Sequence, residues 1–166
     1  MITQTTTQRV AEPAATDAEV ARALKLWIVL TRAVQAVGAK VDTHVAGRGL
    51  TTTEFGILEV LLHKGPLLLG DIQRKLLVTS GGITYLVDRL VEKGLVKREE
   101  CPSDRRARYA VLTPAGDALI RGVFPEHAAM LTAAMAGLDA DEQAVATTLL
   151  RKLGRAAAGT SQPLDP

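Results

Sequence analysis

Apolar residues recur along this chain at steps of three and four over most of its length and at steps of two over one short stretch, and the change of period marks out the elements. Thr16-Asp17-Ala18-Glu19 has the form of a capping box, in which the threonine oxygen accepts a backbone N–H and the glutamate reaches back to the threonine's own. Beyond it Val20, Leu24, Trp27, Thr31, Val34, Gly38, Val41 and Val45 fall at alternating steps of four and three, with Leu26, Ile28, Leu30 and Val37 adding apolar surface beside that stripe. This predicts a long helix over 16–47 with more apolar area than a compact core needs, which suits a helix shared between two subunits. Gly47-Arg48-Gly49 breaks it, and Thr51-Thr52-Thr53-Glu54 is a second capping box. Phe55, Leu58, Leu61 and Leu62 give the next helix its buried face, which ends at His63-Lys64-Gly65-Pro66. Leu67 to Leu69 form either a brief strand or an extended approach, and Gly70 to Leu76 form a short helix.

After a turn at Val78-Thr79-Ser80 the pattern becomes two-faced: Ile83, Leu86, Val87 and Leu90 stack on one side, leaving Ser80, Thr84, Tyr85, Asp88 and Arg89 on the other. Lys93-Gly94-Leu95 closes this helix, with a basic residue in the last turn and a glycine for the left-handed position. The period then shortens to two. Leu95 to Glu99 lead into the turn composition Cys101-Pro102-Ser103-Asp104, and Arg105 to Thr113 lead out again, with Ala107, Tyr109 and Val111 on one face and Arg108 and Ala110 on the other. A short helix, a tight turn, a polar-faced helix and an arginine-tipped hairpin make a winged helix-turn-helix, the shape of a duplex DNA reader. A helix fits the major groove, and arginines on the hairpin suit the narrow, electronegative minor groove beside it.

Thr113-Pro114 starts another helix, a threonine cap with proline in the first turn. Leu119, Val123, Phe124, His127, Leu131 and Met135 carry it on, and Pro125, lacking an N–H, should kink it. Leu138-Asp139 restarts the chain, and Val145, Leu149, Leu150 and Leu153 mark a last helix to about Ala158. The expected organisation is a disordered tail over 1–15, an N-terminal dimerisation helix over 16–47, a DNA-binding lobe over 48–113, C-terminal dimerisation helices over 114–158 and a disordered tail over 159–166. The fold class is mainly α with a small antiparallel β-wing.

Composition narrows the function. The chain has 166 residues, enough for one domain with a real core, and a formal charge of only +2, so a nucleic-acid partner has to be argued from distribution. Between Arg89 and Arg108 seven basic residues face four acidic ones, a local excess of three. An aromatic content of 3% argues against stacking platforms for single strands. A single cysteine, Cys101, and a polar start without a signal-like apolar run point to the cytoplasm, and no stretch suits a membrane span. The sequence lacks a nucleophile elbow, a phosphate-binding loop and a metal-binding histidine pair, so an enzyme is not expected.

Four segments together carry a family resemblance: Leu50-Thr51-Thr52-Thr53-Glu54-Phe55-Gly56-Ile57-Leu58, then Asp88-Arg89-Leu90-Val91-Glu92-Lys93-Gly94-Leu95-Val96, Asp104-Arg105-Arg106, and Leu112-Thr113-Pro114-Ala115-Gly116. In this order and spacing they resemble the MarR-type transcriptional regulators, over roughly Thr16 to Ala158. The resemblance implies a homodimer with interleaved terminal helices and two lobes set on successive turns of a pseudo-palindromic operator. It implies that the helix near Ser80 enters the major groove and the Asp104 to Arg106 tip the minor groove. It also implies release from DNA by a small-molecule effector such as an aromatic acid or phenol, or by cysteine oxidation, or licensing by zinc.

The expected DNA contacts are Ser80, Gly81 and Gly82, whose helix-start N–H groups are open to a phosphate, then Thr84 and Tyr85 toward base edges. Arg106 and then Arg105 are expected in the minor groove, with Asp104 positioning an arginine. Arg89 has two readings, a DNA contact or a partner of a protein carboxylate. An effector pocket lined by Trp27, Phe55, Leu58, Leu62, Phe124 and His127 is expected, although the same residues at this spacing also read as plain core. Cys101 is either a modifiable thiol beside Arg98 or an incidental exposed cysteine. His44, His63 and His127 form no metal-ligand spacing, and no metal or cofactor is expected. The alternative function is a winged-helix protein-interaction module that does not bind DNA.

Overall fold

A computed structural model describes residues 15–76, 80–101 and 104–158, and the side chains within them except those of Ser80, residues 104–106 and Ala158. The expected tails, from Met1 to Ala14 and from Gly159 onward, lie outside the described residues, as do Val78 and Thr79 of the expected turn. The elements run α1 (Asp17–Ala46), α2 (Thr52–Lys64), β1 (Leu67–Leu68), α3 (Leu69–Leu76), α4 (Ser80–Glu92), β2 (Val96–Cys101), β3 (Asp104–Leu112), α5 (Pro114–Met135) and α6 (Ala140–Ala158). This is the expected mainly helical class with a small antiparallel sheet. The chain falls into two compact units, residues 1–36 and 37–166.

In the first unit α1 starts as its capping box demands. Thr16 N–H donates to Glu19 Oε2 at 2.8 Å, and Glu19 N–H donates to Thr16 Oγ1 at 3.3 Å. Val20, Leu24, Leu26, Trp27 and Ile28 all stand exposed on this helix.

The second unit holds a single core. Ile57, Leu58, Ile72, Val87, Leu90, Val96 and Ile120 are fully buried, and Val45, from the last turns of α1, joins them. Ile57 is a core residue that the spacing of Phe55, Leu58 and Leu61 did not single out. Leu62, expected on the buried face, packs only partly against the core. The sheet has the order β1-β3-β2 and is antiparallel throughout. Leu67 and Leu68 take the strand alternative, pairing with Ala110 and Tyr109, while Leu69 already begins α3. Among the described side chains of β3, Ala110 is the fully buried one, because the central strand is covered at that point and flanked by Leu67 and Arg98. Pro125 lies inside α5 without ending it. Asp139 and Glu142 close a third capping box at the start of α6, at 3.0 and 2.9 Å, a D-x-x-E signal readable in the sequence. The apolar residues of α6, Val145, Leu149, Leu150 and Leu153, are exposed.

The root of the wing is tightly closed. Gly94 has φ +70, and with Leu95 N–H on Leu90 O and Gly94 N–H on Val91 O, both at 2.9 Å, it ends α4 in a Schellman turn. The returning chain meets the same turn: Thr113 N–H donates to Leu95 O at 3.1 Å and Thr113 Oγ1 to Gly94 O at 2.7 Å. Thr113 Oγ1 also accepts from Gly116 N–H at 3.0 Å as the cap of α5. A side chain on Gly116 would run into the Leu95 carbonyl, so only glycine lets α5 approach this closely.

Candidate nucleic-acid interface

α4 is divided as its sequence divides it. Ile83, Val87 and Leu90 are buried and Leu86 partly so, while Gly81, Thr84 and Tyr85 are exposed, Tyr85 by 60%. A buried face this complete fixes the rotation of the helix, because any turn about its axis would pull aliphatic groups into water. Thr84 and Tyr85 are therefore presented outward by the packing of their neighbours. Ser80 is the first residue of α4, and a Cβ added at Gly81 would meet open space.

Two ion networks hold this helix. Glu54 is 1% exposed and its carboxylate is fully used: Oε2 accepts from Thr51 N–H and from Lys93 Nζ, each at 2.8 Å, and Oε1 lies 3.7 Å from Arg89 Nε. Lys93 Nζ also donates to Gly49 O at 2.8 Å, tying the end of α4 to the loop before α2. Burial pushes the Glu54 carboxyl up, but the Lys93 and Thr51 hydrogen bonds and the charges of Lys93 and Arg89 outweigh it and hold the group below its ordinary value. Arg89 thus faces a protein carboxylate, while its side chain stays 45% exposed.

The second network joins the helix to the wing. Arg98 on β2 meets Asp88 Oδ1 with Nη1 at 2.6 Å and donates from Nη2 to Thr84 O at 3.2 Å. Arg98 was expected only as a neighbour of Cys101, and Glu54 only as a cap. The signal for Glu54 was legible, since a glutamate set among Phe55, Ile57 and Leu58 on a buried face needs a cation. The backbone of Asp104, Arg105 and Arg106 forms the start of β3, and Cys101 pairs with Asp104 at a bulge after Glu100. The side chains of these three tip residues are outside the described set. Cys101 is buried, correcting the expectation of an exposed thiol, and its hydrogen bond to Tyr109 raises the phenol above its ordinary value.

Five of the six residues expected around an effector lie in the second unit, in different surroundings. Phe55 and Leu58 belong to the core, and Leu62 packs at its edge. His127 is 4% exposed, with its ring 4.4 Å from Phe55 and 5.4 Å from His44, and Phe124 stacks edge-on to His63 at 4.9 Å. Trp27 lies in the first unit and is 65% exposed. A cleft of about 240 Å³ opens between α2 and α3, lined by Gly56, Glu59, Val60, His63, Lys64, Lys75 and Leu76, so neither Leu58 nor Leu62 of the same helix lines it. Among the described residues, no group of three or more metal-ligating side chains gathers. No described helix is long and apolar enough to cross a membrane.

The sequence profile of the MarR family matches residues 48–107. The chain is 40% identical over 133 residues to the HTH-type transcriptional regulator MhqR of Bacillus subtilis, covering 80% of this chain and 92% of that protein. The chain belongs to the MarR family. Its fold is that family's winged helix-turn-helix, and the solved structures agree. Sco3205 of Streptomyces coelicolor, a MarR family transcriptional regulator in complex with DNA, superposes with a TM-score of 0.77 at 22% identity, covering 89% of this chain and 92% of that one. BpsR of Bordetella bronchiseptica, whose DNA binding is regulated by 6-hydroxynicotinic acid, matches with a TM-score of 0.71 at 26% identity over 78% of this chain and 98% of its own. Within this MarR-family regulator, the helix that the family resemblance assigns to the major groove is α4, the one carrying Thr84 and Tyr85.

Proposed function

We propose that this chain is a cytoplasmic transcriptional repressor that binds a pseudo-palindromic duplex operator as a homodimer and leaves it when a small aromatic effector binds. The observation that carries the reading is the outward Thr84–Tyr85 face of α4, locked in rotation by the buried Ile83, Val87 and Leu90. In this reading α4 lies in the major groove. Ser80, Gly81 and Gly82, at the start of the helix, lie beside a phosphate, and Thr84 and Tyr85 meet base edges. Arg106 and Arg105 enter the minor groove with Asp104 holding them, and Arg89 divides its charge between Glu54 and the DNA backbone.

The homodimer is supported by apolar side chains left in water on α1 (Val20, Leu24, Trp27) and, separately, on α6 (Val145, Leu149, Leu150), a pattern that a second copy would cover. An effector is supported by the regulation of BpsR and by two buried ring nitrogens without hydrogen-bond partners, His44 Nε2 and His127 Nδ1, which could receive a hydroxyl or carboxyl group. The effector releases DNA only to the extent that it prefers a lobe spacing that cannot match two successive grooves.

The test is binding of the purified full chain to duplex from its own upstream region across a salt series. Preference over random duplex, with affinity falling steeply as salt rises, is expected. A flat salt response, or equal binding to random DNA, sinks the reading.

A further inference from the structure

Asp88 presents a difficulty for any DNA reader. It lies one turn beyond Thr84 on α4, its side chain is 47% exposed, and a carboxylate on that side of the helix would approach phosphates. Like charges at close range oppose binding strongly where water is squeezed out. Arg98 answers this from another element, and its fork reaches two groups, the Asp88 carboxylate and the Thr84 carbonyl. Lysine has no such fork and could not hold both in this planar arrangement.

We propose that Arg98 is a positioning residue for DNA reading, neutralising Asp88 and pinning the Thr84-to-Asp88 turn of α4 to strand β2 so that helix and wing present one surface. The inference rests on the proposed DNA-binding function. Arg98 acts through its partners: the guanidinium cancels the charge of Asp88, and its second hydrogen bond sets the register between α4 and the wing. The wing strand is itself braced, with Arg98 opposite the buried Ala110 on the central strand, so the guanidinium starts from a fixed base.

The experiment measures the affinity of full-length wild type, Arg98→Gln, Arg98→Lys, Asp88→Asn and the Arg98→Gln/Asp88→Asn double variant for the operator and for random duplex, by fluorescence anisotropy. Arg98→Gln, which leaves a bare carboxylate on the reading face, should weaken operator binding about tenfold or more. Adding Asp88→Asn should restore it to within about threefold of wild type, because the repulsion is gone and only the pinning is lost. Arg98→Lys should fall between. Asp88→Asn alone frees a cation on the reading face, so it should tighten binding to random duplex and lower the operator-to-random ratio, a gain that misfolding cannot imitate. Because the pair is exposed, all variants should melt within about 4 °C of wild type.

Arg98→Gln that binds as well as wild type overturns the inference. So does a double variant as weak as Arg98→Gln, which would make Arg98 a direct phosphate contact, and so does an Asp88→Asn variant without the gain on random duplex. A wild-type chain with no preference for its operator removes the functional reading and this inference with it. A wild type that prefers its operator beside an unaffected Arg98→Gln removes the inference alone.

Discussion

Glu54 and Asp88 each hold α4 through cations, yet one carboxylate is 1% exposed and the other 47%. The difference separates two duties that act on the same helix. Glu54 is built into the protein: its partners Thr51, Lys93 and Arg89 come from two elements and leave it no water, so the fold depends on the whole set. Asp88 pairs with Arg98 at the surface, where solvent screens the attraction, so that pair contributes little to stability, and in the reading proposed above it acts on what approaches the helix. A charged pair on this helix is thus better judged by its burial than by its distance.

The sharpest way to break this contrast is Glu54→Gln. It removes the buried charge from two cations and weakens the cap of α2, and about 3 kcal/mol of stability should be lost in chemical denaturation. A loss as small as that of Asp88→Asn would erase the distinction. Next comes Gly116→Ala, which strikes the junction beneath both networks. The added methyl group must displace the Leu95 carbonyl, and a cost of about 2 kcal/mol is expected, read as a lower denaturation midpoint.

Acid titration sharpens the comparison from the other side. Glu54 has a folded-state value below its ordinary 4.5, so its contribution to stability is complete above that pH and is lost as pH falls through the depressed value. Denaturation curves between pH 6 and about pH 3 should show this slope in wild type and a shallower one in Glu54→Gln. His127 gives a smaller effect at milder pH. Burial first, and then the neighbouring His44 charge, lower it below 6.5 against an opposing pull from Glu59. Its neutral form therefore stabilises the fold above pH 6.5, and that contribution declines as pH drops below it. Replacing it by phenylalanine keeps the ring against Phe55 and removes an unpartnered nitrogen. His127→Phe should be at least as stable as wild type at pH 7.5 and lose less on acidification to about pH 5.5. Smallest of all is Asp88→Asn, expected to shift stability by less than about 1 kcal/mol.

Much of this molecule was legible before its structure, for reasons that are local. Capping boxes at Thr16 and Thr51, the glycine at Gly94 and the Thr113-Pro114 start each depend on a few consecutive residues, and each appears as read. The faces of α4 were equally plain, because Ile83, Val87 and Leu90 repeat at helical spacing. What escaped the sequence lies between elements. The meeting of Arg98 with Asp88 joins a helix to a strand, and that of Lys93 with Glu54 and Gly49 joins residues 39 and 44 positions apart, and no period announces such contacts. The Gly116 close approach is of the same kind. Its motif could be quoted from the sequence, but the reason for a glycine there is a carbonyl delivered by the other side of the wing.

The closure of the wing at its root has an evolutionary side. Leu95 and Thr113 are joined by a hydrogen bond, so the strands between them leave and return through one gate, and Thr113 hands the chain directly to α5. Residues at the tip of the wing, beyond the buried Val96 and Ala110 and the anchoring Arg98, can be exchanged or lengthened without altering where α4 ends or α5 begins. A lineage can therefore try new tips while its other helices keep their places. The tip of the wing behaves as an interchangeable tool on a fixed handle.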